Sequence, residues 1–171
     1  MKIGQICVLL FLLGWHGDGL HAAPISATGN VQVRATVVKP LALTAVQNLT
    51  LGTVILAGPG IWTGASVRLS RAGALACSAN LICSGASQVA KYRVSGSNKQ
   101  TISITAPPVT LRNSNDVSKT LTLSLDAPLS LFMSNSGNPG EVFSVGGTIT
   151  LNSSTADSTY SGFLAVTVDY N

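Results

Sequence analysis

From Ile25 to Val37 every odd position is apolar or glycine (Ile25, Ala27, Gly29, Val31, Val33, Ala35, Val37), and every even position is polar (Ser26, Thr28, Asn30, Gln32, Arg34, Thr36). A period of two marks a strand with one buried face. At about 3.3 Å per residue this stretch is roughly 40 Å of strand, about twice an ordinary one. The far end alternates as well. Past Gly162, Leu164, Val166, Val168 and Tyr170 fall on one side, with Ser161, Phe163, Ala165, Thr167 and Asp169 on the other. A terminal strand that keeps its side chains turned inward is a structural part, available for pairing with another molecule.

Between these ends no stretch holds a helical period for three turns. Strands are expected at VQVRATVV (31–38), LTLGTVIL (49–56), ASVRLS (65–70), AKYRVSG (90–96), QTISITA (100–106), LTLSLDA (121–127), GTITLNS (147–153) and FLAVTVDY (163–170), all rich in β-branched residues. Turn formers separate them: GPG at 58–60, SGSN at 95–98, Pro107 with Pro108, NSND at 113–116, GNPG at 137–140, and Gly146 with Gly147. About eight short strands without repeat or linker predict one all-β domain, an immunoglobulin-like two-sheet sandwich, self-contained or completed by a donor strand.

The first residues read as an export signal. Lys2 supplies a short positive start, Ile3 to Leu13 is mostly apolar, and Ala22 and Ala23 are small residues suited to cleavage after Ala22. The apolar run is well short of the roughly 20 residues of a membrane span. The expected parts are therefore a signal peptide, 1–22, and a single domain, 23–171, with no membrane span after cleavage. The protein is expected to pass through the inner membrane and the periplasm to the cell surface or the medium.

Cleavage removes both histidines, His16 and His21, and one of three cysteines, Cys7. A serine nucleophile would lack its usual base, and the five remaining carboxylates, Asp116, Asp126, Glu141, Asp157 and Asp169, share no motif. No phosphate loop or dinucleotide fingerprint is present. The reading is a non-enzyme with no cofactor and no metal site. The net charge is only +4, and its bases lack the interleaved aromatics of single-strand binders, so no nucleic acid partner is expected. Cys77 and Cys83 in LACSANLICSG form an even pair in an exported chain, most simply a disulfide closing a small loop.

One sandwich cannot easily pair all of the leading arm. A neighbour lacking an edge strand could accept residues 23–33, with Ile25, Ala27, Gly29, Val31 and Val33 entering its core, as in donor-strand complementation. Burying four or five such side chains would supply on the order of 6–15 kcal/mol before ordering costs. The alternative is a long first strand with a loose head. A second function class competes: a monomeric sandwich that binds carbohydrate or another surface ligand, with Trp62, the sole tryptophan past the leader, as a candidate platform beside Tyr92 or Tyr160.

The succession ATVVKPLALT (35–44), LTLGTV (49–54), FSVGGTITL (143–151) and YSGFLAVTVDYN (160–171) resembles the bacterial exported family labelled domain of unknown function 4402, over nearly all of the chain past the leader. Those sequences are in turn similar to spore-coat-U-like and chaperone-usher fimbrial subunits. The resemblance implies an incomplete sandwich and a structural subunit of a surface fibre. Its partners would be copies of itself or sister subunits, a periplasmic chaperone and an outer-membrane usher. It also implies that Leu164, Val166, Val168 and Tyr170 line the strand offered to a chaperone or donor. One position departs from the pilin pattern: Ser158 stands where many pilins carry glycine, fourteen residues from the end.

Overall fold

The computed structural model describes Gly29, residues 31–135 and residues 139–171, so the expected signal peptide and the arm residues Ile25 and Ala27 lie outside the described residues. The described chain divides between Ala35 and Thr36, and Thr36–Asn171 carries every strand among the described residues. The strands are β1 (Ala42–Gln47), β2 (Thr53–Leu56), β3 (Ala65–Leu69), β4 (Leu75–Cys77), β5 (Leu81–Ser84), β6 (Ala90–Ser95) and β7 (Thr101–Thr105). They continue with β8 (Val109–Asn113), β9 (Thr120–Asp126), β10 (Ser130–Phe132), β11 (Glu141–Leu151), β12 (Tyr160–Ser161) and β13 (Thr167–Tyr170). The described residues contain no helix, and all strand pairs are antiparallel.

Two layers face each other. The larger is an eight-stranded sheet in the order β1-β6-β11-β9-β8-β12, with β3 paired to β11 and β4 to β3. The smaller layer is in two pieces, β10-β7-β13 and β2-β5. Strand β11 organises the larger layer: Glu141 to Val145 pair with β6, whereas Gly147 to Ile149 lie between β3 and β9. The double glycine read as a turn is in mid-strand, because a Cβ on Gly146 would strike the backbone of Leu69, Ser70 and Arg71. Glycine here permits close approach of chains, not a reversal.

Alternation along the strands sends one set of side chains between the layers. The upper core packs Ala90, Tyr92, Val94, Ile102, Ile104, Met133, Phe143 and Val145 under β10-β7-β13. Tyr92 and Phe143, directly opposite on β6 and β11, stack with ring centroids 5.6 Å apart. A lower core packs Ala65, Val67, Leu81, Val109, Leu123, Ile149 and Leu151 against the inner face of β2-β5. Leu49, Leu125 and Leu164 touch both cores and join them.

The expected strand over 31–38 does not form. Residues 31–41 belong to no strand, and Val31, Val33 and Val37 are 86, 89 and 92% exposed. Alternation gives a segment the capacity to bury one face; it does not provide the surface that would cover it. Pro40, which has no N–H to donate, precedes the first strand, and β1 starts at Ala42.

The disulfide forms as expected, between Cys77 on β4 and Cys83 on β5, with Cα atoms 6.4 Å apart. Its role is larger than closing a loop, because β4 belongs to the larger layer and β5 to the smaller. The bridge ties the layers together beside the lower core.

Candidate functional site

The smaller layer is incomplete over the lower core. Three strands cover the upper core, but only two four-residue strands, β2 and β5, lie over the lower one. Strand β2 pairs with β5 along one edge, and no strand among the described residues lies against the other. That free edge borders an open cleft of about 770 Å³. Leu111 on β8, Leu121 and Leu123 on β9, and Ile149 and Leu151 on β11 form its floor. One wall is residues 49–56; the other is residues 155–162 together with Leu164.

Each wall has a local cause. Thr50 exchanges both backbone hydrogen bonds with Gln88, at 2.9 Å each, which steers the chain from β1 into β2. Gly52 adopts φ +78°, where a side chain is strained. Its Cβ would lie 2.6 Å from the Ser84 carbonyl oxygen, so glycine lets β2 lie close to the end of β5. On the opposite wall, Ser158 and Ser114 share a hydroxyl hydrogen bond of 2.8 Å, and the Ser114 N–H donates to the Thr159 carbonyl at 2.9 Å. These bonds pin the segment to the β8–β9 hairpin. Ser158, the departure noted from the pilin pattern, is therefore engaged in holding this wall.

The last segment crosses between layers. Tyr160 and Ser161 pair with β8, residues 162–166 belong to no strand, and Thr167 to Tyr170 pair with β7. The strand expected over 163–170 is thus shortened, although its burial still alternates: Leu164, Val166, Val168 and Tyr170 are half-buried and the residues between them exposed. Gly162 makes the crossing possible, since a Cβ there would lie 2.9 Å from the Thr110 carbonyl. Of the four inward residues only Leu164 lines the cleft; all four pack against the upper core.

Tyr170 also acts as a clasp. Its hydroxyl accepts the Ser97 N–H at 2.7 Å and donates to the Lys39 carbonyl at 2.7 Å, which ties the last strand to the β6–β7 turn and to the approach to β1. Gly96 leaves room for it, because a Cβ there would strike the phenol oxygen. Tyr170→Phe should lower stability by about 1–2 kcal/mol, since a part-buried N–H and a carbonyl lose their partner. Urea unfolding would check this, and a loss under 0.3 kcal/mol would show that water replaces the hydroxyl at no cost.

Trp62 is half-buried against the lower core, and its indole N–H donates to the Gly58 carbonyl at 3.2 Å. Ser153 holds its backbone on both sides: the Trp62 N–H donates to the Ser153 hydroxyl at 3.3 Å, and the Ser153 N–H donates to the Trp62 carbonyl at 3.1 Å. Neither expected companion adds a free ring. Tyr92 is in the upper core, where burial pushes its phenol pKa up, and Tyr160 lines the cleft with its hydroxyl donating to the Ala156 carbonyl at 2.9 Å.

Residues 41–170 match the family described as Domain of unknown function (DUF4402). The chain belongs to this family. No curated protein and no solved structure matches it. Among the described residues the family match covers every strand and all of the cleft lining, and it begins beyond the exposed valines of the leading segment.

The electrostatics of the cleft are sparse. Among the described residues that line it, Asp157 is the only carboxylate or base, so the lining offers shape, apolar surface and backbone groups rather than acid–base chemistry. The two perturbed carboxylates lie elsewhere. Asp116, in the β8–β9 turn, is held below its ordinary pKa by the Ser118 hydroxyl. Glu141, at the start of β11, is lowered by the Ser134 hydroxyl and the Asn135 N–H. Lowered values mean that these bonds favour the folded state above the ordinary carboxylate range and fade as pH falls through the folded pKa. Among the described residues no group of three or more His, Cys, Asp or Glu could hold a metal ion.

Proposed function

We propose that this protein is a structural, non-enzymatic subunit of a bacterial surface fibre, in which the leading arm of one copy enters the cleft of the next. The observation that carries the proposal is the unpaired edge of β2 above a floor of leucine and isoleucine side chains. Such an edge is a template for a further strand, whose main chain would complete the ladder while alternate side chains reach the floor. The arm has the matching pattern, with Ile25, Ala27, Gly29, Val31 and Val33 on one side, and the described valines at 31 and 33 stand exposed. Charge agrees: the only charged residue from Ala23 to Arg34 is Arg34, and the only one among the described residues of the cleft is Asp157. On this reading the chain is exported, and the expected chaperone would shield the same cleft before assembly.

Protein without its leader should form ladders that survive mild detergent, and deletion of Ala23 to Asn30 should abolish them while leaving the domain folded. A peptide of residues 25–33 added to the deleted protein should raise its melting temperature by several degrees, because it binds the folded state alone. A peptide with odd and even positions exchanged should not. Ladders that persist after deletion, or a full-length protein that stays monomeric at every concentration, would overturn the reading. A monomer that bound glycans through Trp62 would favour the competing function instead.

A further inference from the structure

We propose that the outer face of the larger layer binds a linear anionic polysaccharide. Directly opposed residues in antiparallel strands project from the same face, so the pairing register places bases that are scattered in the sequence. Arg93 and Lys91 stand opposite Val142 and Ser144 of β11, and Arg68 stands opposite Thr148. Arg112 on β8 stands opposite Thr120 of β9, which falls one step beyond the end of β11. Measured along β11, the four bases follow one another over about ten residue positions, roughly 34 Å at the rise of an antiparallel strand.

Positive charge exceeds negative on one face and is absent from the strands of the other. Arg93 has Thr44 and Val142 beside it, and Lys91 has Gln47 and Ser144. Among the described strand residues that project from this face one is a carboxylate, Asp126 opposite Gly146, and it is already engaged by the Arg71 N–H at 3.1 Å and the Arg71 guanidinium at 3.8 Å. Arg112 reaches the Val117 carbonyl with one guanidinium nitrogen, leaving its remaining donors for a ligand. On the outer face of β10-β7-β13 and β2-β5 no strand residue is basic, and Asp169 projects there instead. Like charges two residues apart on one strand repel, so a one-sided row whose single interposed acid, Asp126, is already taken by Arg71 costs stability unless something anionic lies against it.

The surroundings select the class of anion. Hydroxyls of Thr110, Thr122, Ser124 and Thr148 fill the face between the bases, suited to the hydroxyls of a sugar chain. Tyr92 and Phe143 face the core, and no outward-facing side chain among these paired positions is aromatic; Phe163 is exposed but lies outside the strands, so the interleaved rings of single-strand nucleic acid binders are missing. This surface is separate from the cleft, and the proposal stands whether or not the protein polymerises.

The test uses the full-length protein with sulfated dextran as probe, and neutral dextran and a single-stranded DNA of matched charge density as comparisons. Replacing Arg68, Lys91, Arg93 and Arg112 together by glutamine should weaken sulfated dextran binding about tenfold or more, and raising salt from about 50 to 200 mM should do the same to the unmodified protein. A control variant with Arg34, Lys39 and Lys99 replaced by glutamine removes comparable charge elsewhere and should change affinity less than about twofold. Equal weakening by the two variants would reduce the effect to net charge and overturn the proposal. So would failure to bind sulfated dextran at low salt, an affinity insensitive to salt, or tighter binding to the DNA.

Discussion

Gly146→Ala is expected to lower stability by about 3 kcal/mol, at the upper end of the cost of overpacking a core. The glycine lies where β11 passes from pairing with β6 to its place between β3 and β9. An added methyl would lie 2.6 Å from the Ser70 carbonyl carbon and 2.7 Å from the Arg71 nitrogen, with the Leu69 carbonyl oxygen closer still. All three are backbone atoms, so no rotamer change relieves the clash; the end of β3 must move. That displacement would reach the lower core, because Val67 and Leu69 are fully buried on the same strand. For a domain of this size the loss corresponds to a melting point lower by about 10 °C. Gly60→Ala is the comparison: Gly60 has φ +72° and nothing within 4 Å of the added carbon, so only backbone strain opposes the change and about 1 kcal/mol is expected. Similar melting points for the two variants would show that β3 yields freely and that the junction is not close-packed.

That junction also shows what a sequence can and cannot disclose. Strands with strict alternation over five or more residues, such as β6, β7 and β9, are legible because each needs only one buried face to explain its pattern. The consecutive glycines at 146 and 147 carry a turn signal when read locally. Their reason for being glycine is the backbone of β3 and the side chain of Leu123, supplied by residues distant in sequence. Short strands were missed for a related reason. LAC in β4 and SLF in β10 are too brief to show a period, and β8 directly follows Pro107 and Pro108, which read as a break. The valines at 31, 33 and 37 gave the opposite error, a pattern without a partner surface. The cleft was beyond reach in the sequence, because it exists only through β2 having a neighbour on one edge. The last strand pointed toward it through a single residue, Leu164. Likewise Arg68, Lys91, Arg93 and Arg112 look dispersed along the chain, and only the register of four strands brings them to one face.

Replacing Cys77 and Cys83 together by serine is expected to lower stability by about 2 kcal/mol, and to do so unevenly. The loop between the cysteines is short, so the chain-entropy model gives roughly 2–3 kcal/mol for the bridge. Its position decides where the loss is felt. Among the described strands β5 is the only ladder partner of β2, and β5 is tied to the larger layer by the disulfide and by the packing of Leu81 and Cys83. Without the bridge, the β2-β5 pair keeps its own ladder but loses its covalent tie to β4. Amide exchange should therefore accelerate most at Ile55 and Ile82, whose amides form the β2-β5 ladder, and least at Val94, Ile102 and Val145 in the upper core, which the bridge does not touch. A uniform acceleration in both cores would mean that the domain opens only as a whole and that the cleft wall has no separate freedom. Because β2 is the wall that would receive an incoming strand, the same variant bears on assembly. A template strand must be held in place to give its hydrogen bonds at low entropic cost, so the serine protein should bind the 25–33 peptide at least about tenfold more weakly while its upper core stays closed. Undiminished peptide binding in a protein whose β2 amides exchange freely would place the acceptor edge somewhere other than β2.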